Sequence, residues 1–269
     1  MKFFFEKTNI FFNKRKKKRT FANVFKPEIM QAFIPSAGLG TRLKPLTDNR
    51  PKALVEVQGR PLLGIALHNL IRQGVSRIVV NVHHYADMIC EYVANHHWSI
   101  PVLISDERDL LLDTGGGLKK AEPLFAPNEP ILIHNVDILS NLNMVQILKE
   151  HTDSMNIATL CVCQRKTSRY FLFDNQQQLK GWTNTKTNET KWVDNALESI
   201  NYLAFSGIAI IEPHLLELLP EADSPYSIIP CYLEIAKHHR INAFLHQKED
   251  WMDVGKPETI IEAQKWKLF

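Results

Sequence analysis

A short apolar run leads directly into a glycine-bearing turn in the stretch Gln31-Ala-Phe-Ile-Pro-Ser-Ala-Gly-Leu-Gly-Thr-Arg-Leu43. The apolar run predicts a buried β-strand, and Gly38 and Gly40 predict a tight loop at its carboxyl end. Glycines in this place let main-chain N–H groups approach phosphate oxygens without an intervening side chain. Two glycines after a strand more often form a simple turn, so this stretch alone leaves both interpretations open.

The loop differs from two familiar phosphate motifs. Leu43 stands where a dinucleotide fingerprint has its third glycine, and no Lys-Ser or Lys-Thr pair closes the loop as in a P-loop. Arg42, inside the loop, offers a planar fork of donors suited to a triphosphate. Lys52 follows Pro51 at the start of an apolar run, where we expect its ammonium to point into the cleft. A lone lysine is usually a solvated surface charge, and that alternative stays open here.

Apolar runs alternate with amphipathic stretches along the first half of the chain. The predicted strands are 31–35, 77–82, 102–104 and 131–133, with helices at 61–73, 85–95 and 116–124. This rhythm predicts a doubly wound, mostly parallel α/β sheet with crossover helices. Ligands of such sheets bind at the carboxyl ends of the strands, which is where the glycine loop and Asp137 fall.

The second half changes character and predicts antiparallel or mixed strands. These strands are 158–162, 170–173, 179–182 and 202–211, followed by helices at 228–239 and 257–266. Between them, residues 184–198 are polar and lack apolar periodicity, which predicts a long hairpin loop or flap. No internal repeat or low-complexity linker interrupts residues 30–269, so we expect one domain there.

The positive charge is concentrated at the amino terminus. Residues 1–29 carry a net charge of +7, whereas the whole chain carries +3, so the remainder is slightly acidic at −4. An acidic body argues against broad nucleic-acid binding. In residues 1–29 the phenylalanine clusters at 3–5 and 11–12 precede the basic run 14–19, which reverses the order of a secretory signal. We expect a disordered extension or a mis-set start ahead of Met30, with a tail that touches acidic lipid or RNA as the alternative.

The four cysteines do not predict a metal site or a disulfide framework. They lack paired C-x-x-C spacing, and Cys161 and Cys163 alternate within an apolar run, which places both on one face of a strand. Core packing in a reducing cytoplasm is the interpretation we favour. No stretch approaches the roughly 20 apolar residues that span a bilayer, so we expect no membrane partner.

The longer pattern Gly38-x-Gly-Thr-Arg-Leu-x-Pro-Leu-Thr-x-x-x-Pro-Lys52 resembles the signature of the sugar-1-phosphate nucleotidylyltransferases. Later landmarks follow in the family's order: Asp113-Thr-Gly-Gly-Gly-Leu118, His134-Asn-Val-Asp137, Ser206-Gly-Ile208 and Trp251-Met-Asp-Val-Gly255. The resemblance covers residues 30 to about 265 and is greatest to the short N-acetylmuramate 1-phosphate uridylyltransferases. It implies a Rossmann-like nucleotidyltransferase fold with a smaller antiparallel sugar-binding part.

The resemblance also implies a reaction and a set of site residues. A nucleoside monophosphate would pass from UTP or GTP to a sugar 1-phosphate with Mg²⁺ as cofactor, releasing pyrophosphate, in nucleotide-sugar synthesis for cell wall or surface polysaccharide. The residues implied for nucleotide binding are Gly38, Gly40, Thr41, Arg42, Lys52, Thr114, Gly115 and Gly116. Those implied for catalysis are Arg42, Lys52 and Asp137; for sugar contacts, Asn135, Arg169 and Tyr170; and for the metal, Asp137 and Asp253. The glycines after Asp113 would let the base and ribose lie against main chain.

Several alternatives remain open on the sequence. Asp137 could merely cap a turn and Asp253 could be an edge-strand charge, although together they fit a metal site. The family commonly has glycine where this chain has Val136, which leaves the sugar open. A mannose- or heptose-1-phosphate guanylyltransferase is the second interpretation, ahead of a phosphocholine cytidylyltransferase. A non-catalytic nucleotide-sugar sensor is the alternative from another class, and we expect such a protein to lack Arg42 or a metal aspartate. The oligomeric state is not indicated.

Overall fold

Parallel strands from the first half of the chain and antiparallel strands from the second half form one continuous sheet. The computed structural model describes residues 29–195 and 199–267. Its strands are β1 (Gln31–Ile34), β2 (Glu56–Val57), β3 (Arg60–Pro61), β4 (Ile78–Val82), β5 (Val102–Asp106), β6 (Ile131–His134), β7 (Ile138–Ser140), β8 (Ala158–Cys163), β9 (Arg169–Phe173), β10 (Leu179–Asn184), β11 (Glu189–Trp192), β12 (Asn201–Ile211), β13 (Ile241–Leu245) and β14 (Trp251–Asp253). Its α-helices are α1 (Leu62–Arg72), α2 (Ala86–Ala94), α3 (Asp113–Lys120), α4 (Met144–Asp153), α5 (Ile228–Ile235) and α6 (Pro257–Ala263).

The parallel half places the glycine loop at the centre of the sheet. β1 pairs with β4 on one side and β6 on the other, and β5 continues the parallel order beyond β4. Ala32 and Ile34 pack into one core cluster with α1, α2, α4 and α6, whereas Phe33 packs into a second cluster with α3 and α5. Strands covered on both faces read as continuous apolar runs, which is why they were predictable. The mostly parallel α/β sheet predicted from the sequence is confirmed.

The antiparallel half is joined to the parallel half by β12. This strand pairs antiparallel with β6 and β8 near its end, and with β9 near its beginning. β9, β10 and β11 form an antiparallel meander, and β13 pairs parallel with β8. The register of β12 against β8 shifts between Phe205 and Ala209, where Gly207 has a φ of 72°. Such a bulge bends the strand and redirects the side chains around it.

Some boundaries differ from those predicted. β6 ends at His134, so Asp137 immediately precedes the short strand β7 and does not end a strand. α3 begins at Asp113, ahead of the predicted start. Part of the predicted flap is β11, an exposed edge strand without the apolar alternation that would have revealed it. Residues 196–198 of that segment, and the extension 1–28, lie outside the described residues.

Two further expectations concern the cysteines and the membrane. Cys161 and Cys163 are fully buried in β8, and the cysteines of the described residues are all free thiols. Burial raises the pKa of Cys161, which keeps this thiol protonated. Within residues 29–195 and 199–267, no helix combines the length and apolar character needed to cross a membrane.

Candidate active site

The two glycines of the loop after β1 have different surroundings. Gly40 has a left-handed φ of 66°, and a Cβ there would lie 3.0 Å from Thr47 Cγ2 and 3.1 Å from the Lys52 Cβ. The Thr47 hydroxyl donates to the Gly40 carbonyl at 2.9 Å, which ties the loop to the segment that carries Lys52. A Cβ on Gly38, by contrast, would meet nothing within 4 Å. Gly40 is therefore required by the fold, while Gly38 leaves open space above the loop.

A buried network beneath the loop was not predicted. The Asn81 side-chain oxygen accepts from the main-chain nitrogens of Ser36 at 2.6 Å and Ala37 at 3.3 Å, and its Nδ2 donates to Glu107 Oε1 at 2.6 Å. Glu107 Oε2 accepts from Leu112 N at 3.1 Å. Glu107 is completely buried, and this burial raises the pKa of its carboxyl group. The network joins the ends of β1, β4 and β5 to the start of α3.

Four charged residues that the sequence singled out converge at one point. The Lys52 ammonium forms an ion pair with Asp137, and both side chains are largely buried. The position that a Cβ on Gly255 would take lies 2.8 Å from Asp253 Oδ1, 3.0 Å from Asp137 Oδ2 and 3.3 Å from Arg42 Nη2. Two carboxylates and two cations therefore surround this point, which we call the charged cluster (Arg42, Lys52, Asp137 and Asp253).

Strand pairing holds the two carboxylates of the charged cluster together. β14 pairs antiparallel with β7, which places Asp253 opposite Ile138. The Val254 amide donates to the Asp137 carbonyl at 2.9 Å, and the Gly255 amide donates to Asp253 Oδ1 at 2.8 Å. Any side chain at Gly255 would enter the cluster, which explains the glycine. The chain's last described strand thus delivers the second carboxylate to the first.

The glycines of α3 pack closely against other segments of the protein. The amides of Gly115 and Gly116 both donate to the Tyr226 carbonyl, at 2.9 and 3.3 Å. A Cβ on Gly115 would overlap the Tyr226 ring, and one on Gly117 would lie 2.6 Å from Glu107 Oε1. These glycines are needed for close packing of the neighbouring segments. Asp113, with a φ of 58°, stays exposed at the start of the helix.

Thr114 lies beside Asp113 and is also exposed, although its side chain contacts protein. Its amide donates to Asp113 Oδ1 at 2.6 Å, and its hydroxyl accepts from the Ile228 amide at 3.1 Å. Asp113 and Thr114 are therefore the residues of this motif that present side chains outward. Tyr226 is a second feature that the sequence did not reveal, because its contact with α3 joins segments more than a hundred residues apart in sequence.

Of the three residues expected to contact the sugar, Asn135 lies at the bulge in β12, and Arg169 and Tyr170 lie on β9. Asn135 lies two residues before Asp137 in sequence. Its main-chain amide donates to the Gly207 carbonyl at 2.9 Å. Arg169 is exposed at the start of β9, and the Tyr170 hydroxyl accepts from the Thr167 amide at 3.0 Å. Because β9 pairs with the first part of β12, it lies on the far side of that strand from β6. Asn135 is thus adjacent to the charged cluster, and the other two lie on the neighbouring meander.

His134 is a buried neutral base next to Asn135. Desolvation lowers its pKa to about 4, so the imidazole is uncharged at neutral pH. Its Nδ1 lies 3.1 Å from the Asn135 carbonyl, which can only accept, so this nitrogen carries the proton. Its Nε2 has no hydrogen-bond partner among the described residues. The histidine supports the turn that leads to Asp137.

The sequence matches the model of the family described as "Nucleotidyl transferase" over residues 31–268. The chain belongs to the nucleotidyl transferase family. The match spans the glycine loop, both carboxylates of the charged cluster and the bulge in β12, and it confirms the resemblance drawn from the motifs. The chain is accordingly an enzyme of the nucleotidyltransferase class.

Two kinds of name occur among the curated relatives of this nucleotidyl transferase. The N-acetylmuramate alpha-1-phosphate uridylyltransferase of Caulobacter vibrioides is 30% identical over 87% of this chain and 95% of the relative. The Mannose-1-phosphate guanyltransferase of Gibberella zeae is 26% identical over 87% of this chain, but the match covers only 63% of that relative. Both relatives are named for nucleotidyl transfer to a sugar 1-phosphate.

Solved structures show the same fold. HddC from Yersinia pseudotuberculosis, complexed with GMP-PN, superposes with a TM-score of 0.68 at 20% identity, covering 88% of this chain and 98% of that chain. A UDP-glucose pyrophosphorylase complexed with UDP-glucose superposes with a TM-score of 0.69 at 17% identity, covering 88% and 97%. At these identities the likeness establishes the nucleotidyl transferase fold and nothing finer.

Proposed function

We propose that this enzyme transfers a nucleoside monophosphate from a nucleoside triphosphate to a sugar 1-phosphate, releasing pyrophosphate. The observation that carries the proposal is the charged cluster, in which Arg42 and Lys52 meet Asp137 and Asp253 beside an open glycine loop. A triphosphate and a sugar phosphate together bring several negative charges to one place, and fixed cations offset them. Gly38, Gly40 and Thr41 then hold the nucleotide phosphates through the loop.

The chain's residues account for an in-line displacement without a general base. A phosphate oxygen of the sugar 1-phosphate is already anionic and attacks the α-phosphorus directly, while pyrophosphate leaves from the opposite side. Lys52 aligns the α-phosphate with the incoming sugar phosphate, and Arg42 meets the charge that develops on the leaving pyrophosphate. Alignment and charge stabilisation therefore supply the rate enhancement.

Asp137 and Asp253 fit a magnesium ion, which takes one or two carboxylates together with substrate phosphates and water. Asp137 Oδ2 and Asp253 Oδ1 both face Gly255, so the two carboxylates are close neighbours. Among the described residues, no group of three or more His, Cys, Asp or Glu side chains is placed to hold a metal. The protein would therefore supply two carboxylates. When bound, the magnesium ion supplies positive charge to the phosphate oxygens.

We propose N-acetylmuramate 1-phosphate and UTP as the substrates. The relative of that name is the more similar of the two kinds and matches along almost its whole length. GTP with mannose 1-phosphate is the second candidate, because relatives with that name match at 25–26% identity. In either case we place the reaction in the cytoplasm, where nucleoside triphosphates are available, with no nucleic acid or membrane as partner.

The test is pyrophosphate release by the full chain with Mg²⁺, across a grid of nucleoside triphosphates and sugar 1-phosphates. We expect release with UTP and N-acetylmuramate 1-phosphate. Release only with GTP and mannose 1-phosphate would preserve the reaction and change the substrates. Nucleotide binding without release on any sugar 1-phosphate would contradict the proposal and support a non-catalytic sensor.

A further inference from the structure

One arginine beside the active site has no role in the chemistry proposed above. Arg165 follows β8 and is half-buried, with its guanidinium carbon 4.8 Å from the centre of the Trp251 ring. Its Nη2 donates to the Phe205 carbonyl at 2.9 Å. Its Nε is buried and has no hydrogen-bond partner within the described part of the chain. The Nε edge of this guanidinium is thus held against the protein, and the terminal nitrogens are the part that an outside group can reach.

Arg165 is close to the charged cluster through Trp251. Trp251 and Asp253 are two residues apart in β14, so their side chains point to the same face of the strand, roughly 7 Å apart along it. The Trp251 indole donates to the Ser206 carbonyl at 2.7 Å, within the bulge of β12. Phe205, which anchors Arg165, belongs to the same bulge. Arg165 therefore lies in the wall that continues from Asp253 toward the meander.

The surroundings of Arg165 suit an anion supplied from outside the protein. None of the ion pairs formed by the described residues includes Arg165. Because Arg165 is half-exposed, an anion can reach its terminal nitrogens, and a planar guanidinium matches a carboxylate through two parallel hydrogen bonds. The aromatic ring beneath it fixes the plane of the fork. The sugar phosphate itself is already assigned to Lys52, at the other end of this wall.

We propose that Arg165 binds a carboxylate carried by the sugar, so that the enzyme selects an acidic sugar 1-phosphate. This inference rests on the proposed function and deepens it. N-acetylmuramate 1-phosphate carries such a carboxylate on the lactyl group at O3, and the sugar ring separates it from the phosphate at C1. N-acetylglucosamine 1-phosphate is the same sugar without the lactyl group, and mannose 1-phosphate also lacks a carboxylate. A site built around a polar group of its substrate discriminates strongly against the analogue that lacks it.

The experiment compares kcat/KM of the full chain for N-acetylmuramate 1-phosphate and N-acetylglucosamine 1-phosphate, with UTP. We expect the wild type to prefer the acidic sugar, and Arg165→Met to lower that preference by about 10- to 100-fold, mainly through KM. Arg165→Lys keeps the positive charge but lacks the planar guanidinium. We expect this variant to retain part of the preference for the acidic sugar. Lys166→Met is the matched control, since it removes the same charge from an exposed neighbour and should leave the ratio unchanged.

The outcomes separate this inference from the proposed function. An unchanged ratio in Arg165→Met, or an equal loss for both sugars, would overturn the role of Arg165. If Arg165→Met does not fold, Arg165→Lys decides instead. A kcat/KM ratio between the two sugars equal to that of the wild type would then overturn the role of Arg165. A wild type that uses only sugars without a carboxylate would also overturn it, while nucleotidyl transfer itself would stand. Absence of pyrophosphate release with every sugar would refute the proposed function, and this inference with it.

Discussion

Asn81 donates from Nδ2 to the Glu107 carboxylate at 2.6 Å, in a position where no solvent reaches Glu107. Asn81 Oδ1 accepts from the Ser36 main-chain amide. One side chain thus connects the start of the glycine loop to the buried Glu107 carboxyl group. Glu107 in turn accepts from the Leu112 amide, just before α3. The loop proposed to hold the phosphates and the helix proposed to border the nucleoside are therefore positioned by the same carboxylate.

Replacing Glu107 by glutamine should change how stability depends on pH. Burial raises the pKa of Glu107 above its ordinary value of 4.5, so the folded state binds this proton more tightly than the unfolded state. The resulting stabilisation is fully present below the unfolded pKa and is lost as pH rises through the folded pKa. We expect the difference in unfolding free energy, wild type minus Glu107→Gln, to fall as pH rises above 4.5 in urea titrations. A difference that grows with pH would contradict this sign.

Two glycine-to-alanine variants should separate folding from nucleotide binding. A Cβ on Gly115 would overlap the Tyr226 ring, so Gly115→Ala should lower the free energy of unfolding by about 1–3 kcal/mol. A Cβ on Gly38 meets open space, so Gly38→Ala should leave thermal stability unchanged and raise the KM for the nucleoside triphosphate. Differential scanning calorimetry and nucleotide kinetics on both variants provide the measurement. Equal thermal stabilities for the two variants would argue against the packing role of Gly115.

Removal of the Arg42 side chain should affect turnover more than sugar binding. The guanidinium lies next to both carboxylates of the charged cluster and is proposed to stabilise charge on the leaving pyrophosphate. We expect Arg42→Ala to lower kcat about 10²- to 10³-fold with a smaller change in the KM for the sugar 1-phosphate. Arg50→Ala serves as the control, because Arg50 bonds only the exposed Asn49 side chain in this segment. An undiminished kcat in Arg42→Ala would refute the assigned role.

The two aspartates of the charged cluster should govern the response to magnesium. Chelation of Mg²⁺ should abolish pyrophosphate release, and Asp137→Asn should do the same at any magnesium concentration. Asp253→Asn should raise the Mg²⁺ concentration for half-maximal activity by at least about tenfold, since one carboxylate remains. Asp250→Asn removes a charge three residues earlier and should leave the magnesium titration unchanged. Full activity in Asp137→Asn would remove the metal assignment.

Fold class was predictable because the central strands are covered on both faces. β1, β4 and β6 are short apolar runs followed by loops. This pattern can be recognised in the sequence without knowing any tertiary contact. β11 was not predictable, since residues 189–192 lie at an exposed edge where no apolar alternation is required. α4 was also missed. The fully buried His151 takes one of its core-facing positions, which weakens the apolar periodicity of that helix.

The site could be predicted where chemistry follows directly from residue type and local motif. Arg42, Lys52, Asp137 and Asp253 lie far apart in sequence, yet family resemblance grouped them and the structure brings them together. Glu107 could not be recognised, because a single acidic residue after a strand is ordinarily solvated. The covering of the α3 glycines by Tyr226 depends on a contact between segments more than a hundred residues apart, which no local pattern records.

The pairing of β14 with β7 also sets when the charged cluster can first be complete. Asp137 is synthesised at the midpoint of the chain, whereas Asp253 leaves the ribosome on the order of ten seconds later, at a translation rate of about 5–20 residues per second. Until then the strand that carries the second carboxylate does not exist, although the glycine loop, Arg42 and Lys52 do. A nascent chain therefore carries Arg42, Lys52 and Asp137 throughout this interval before Asp253 can join them, and the charged cluster is among the last features of the fold to be completed.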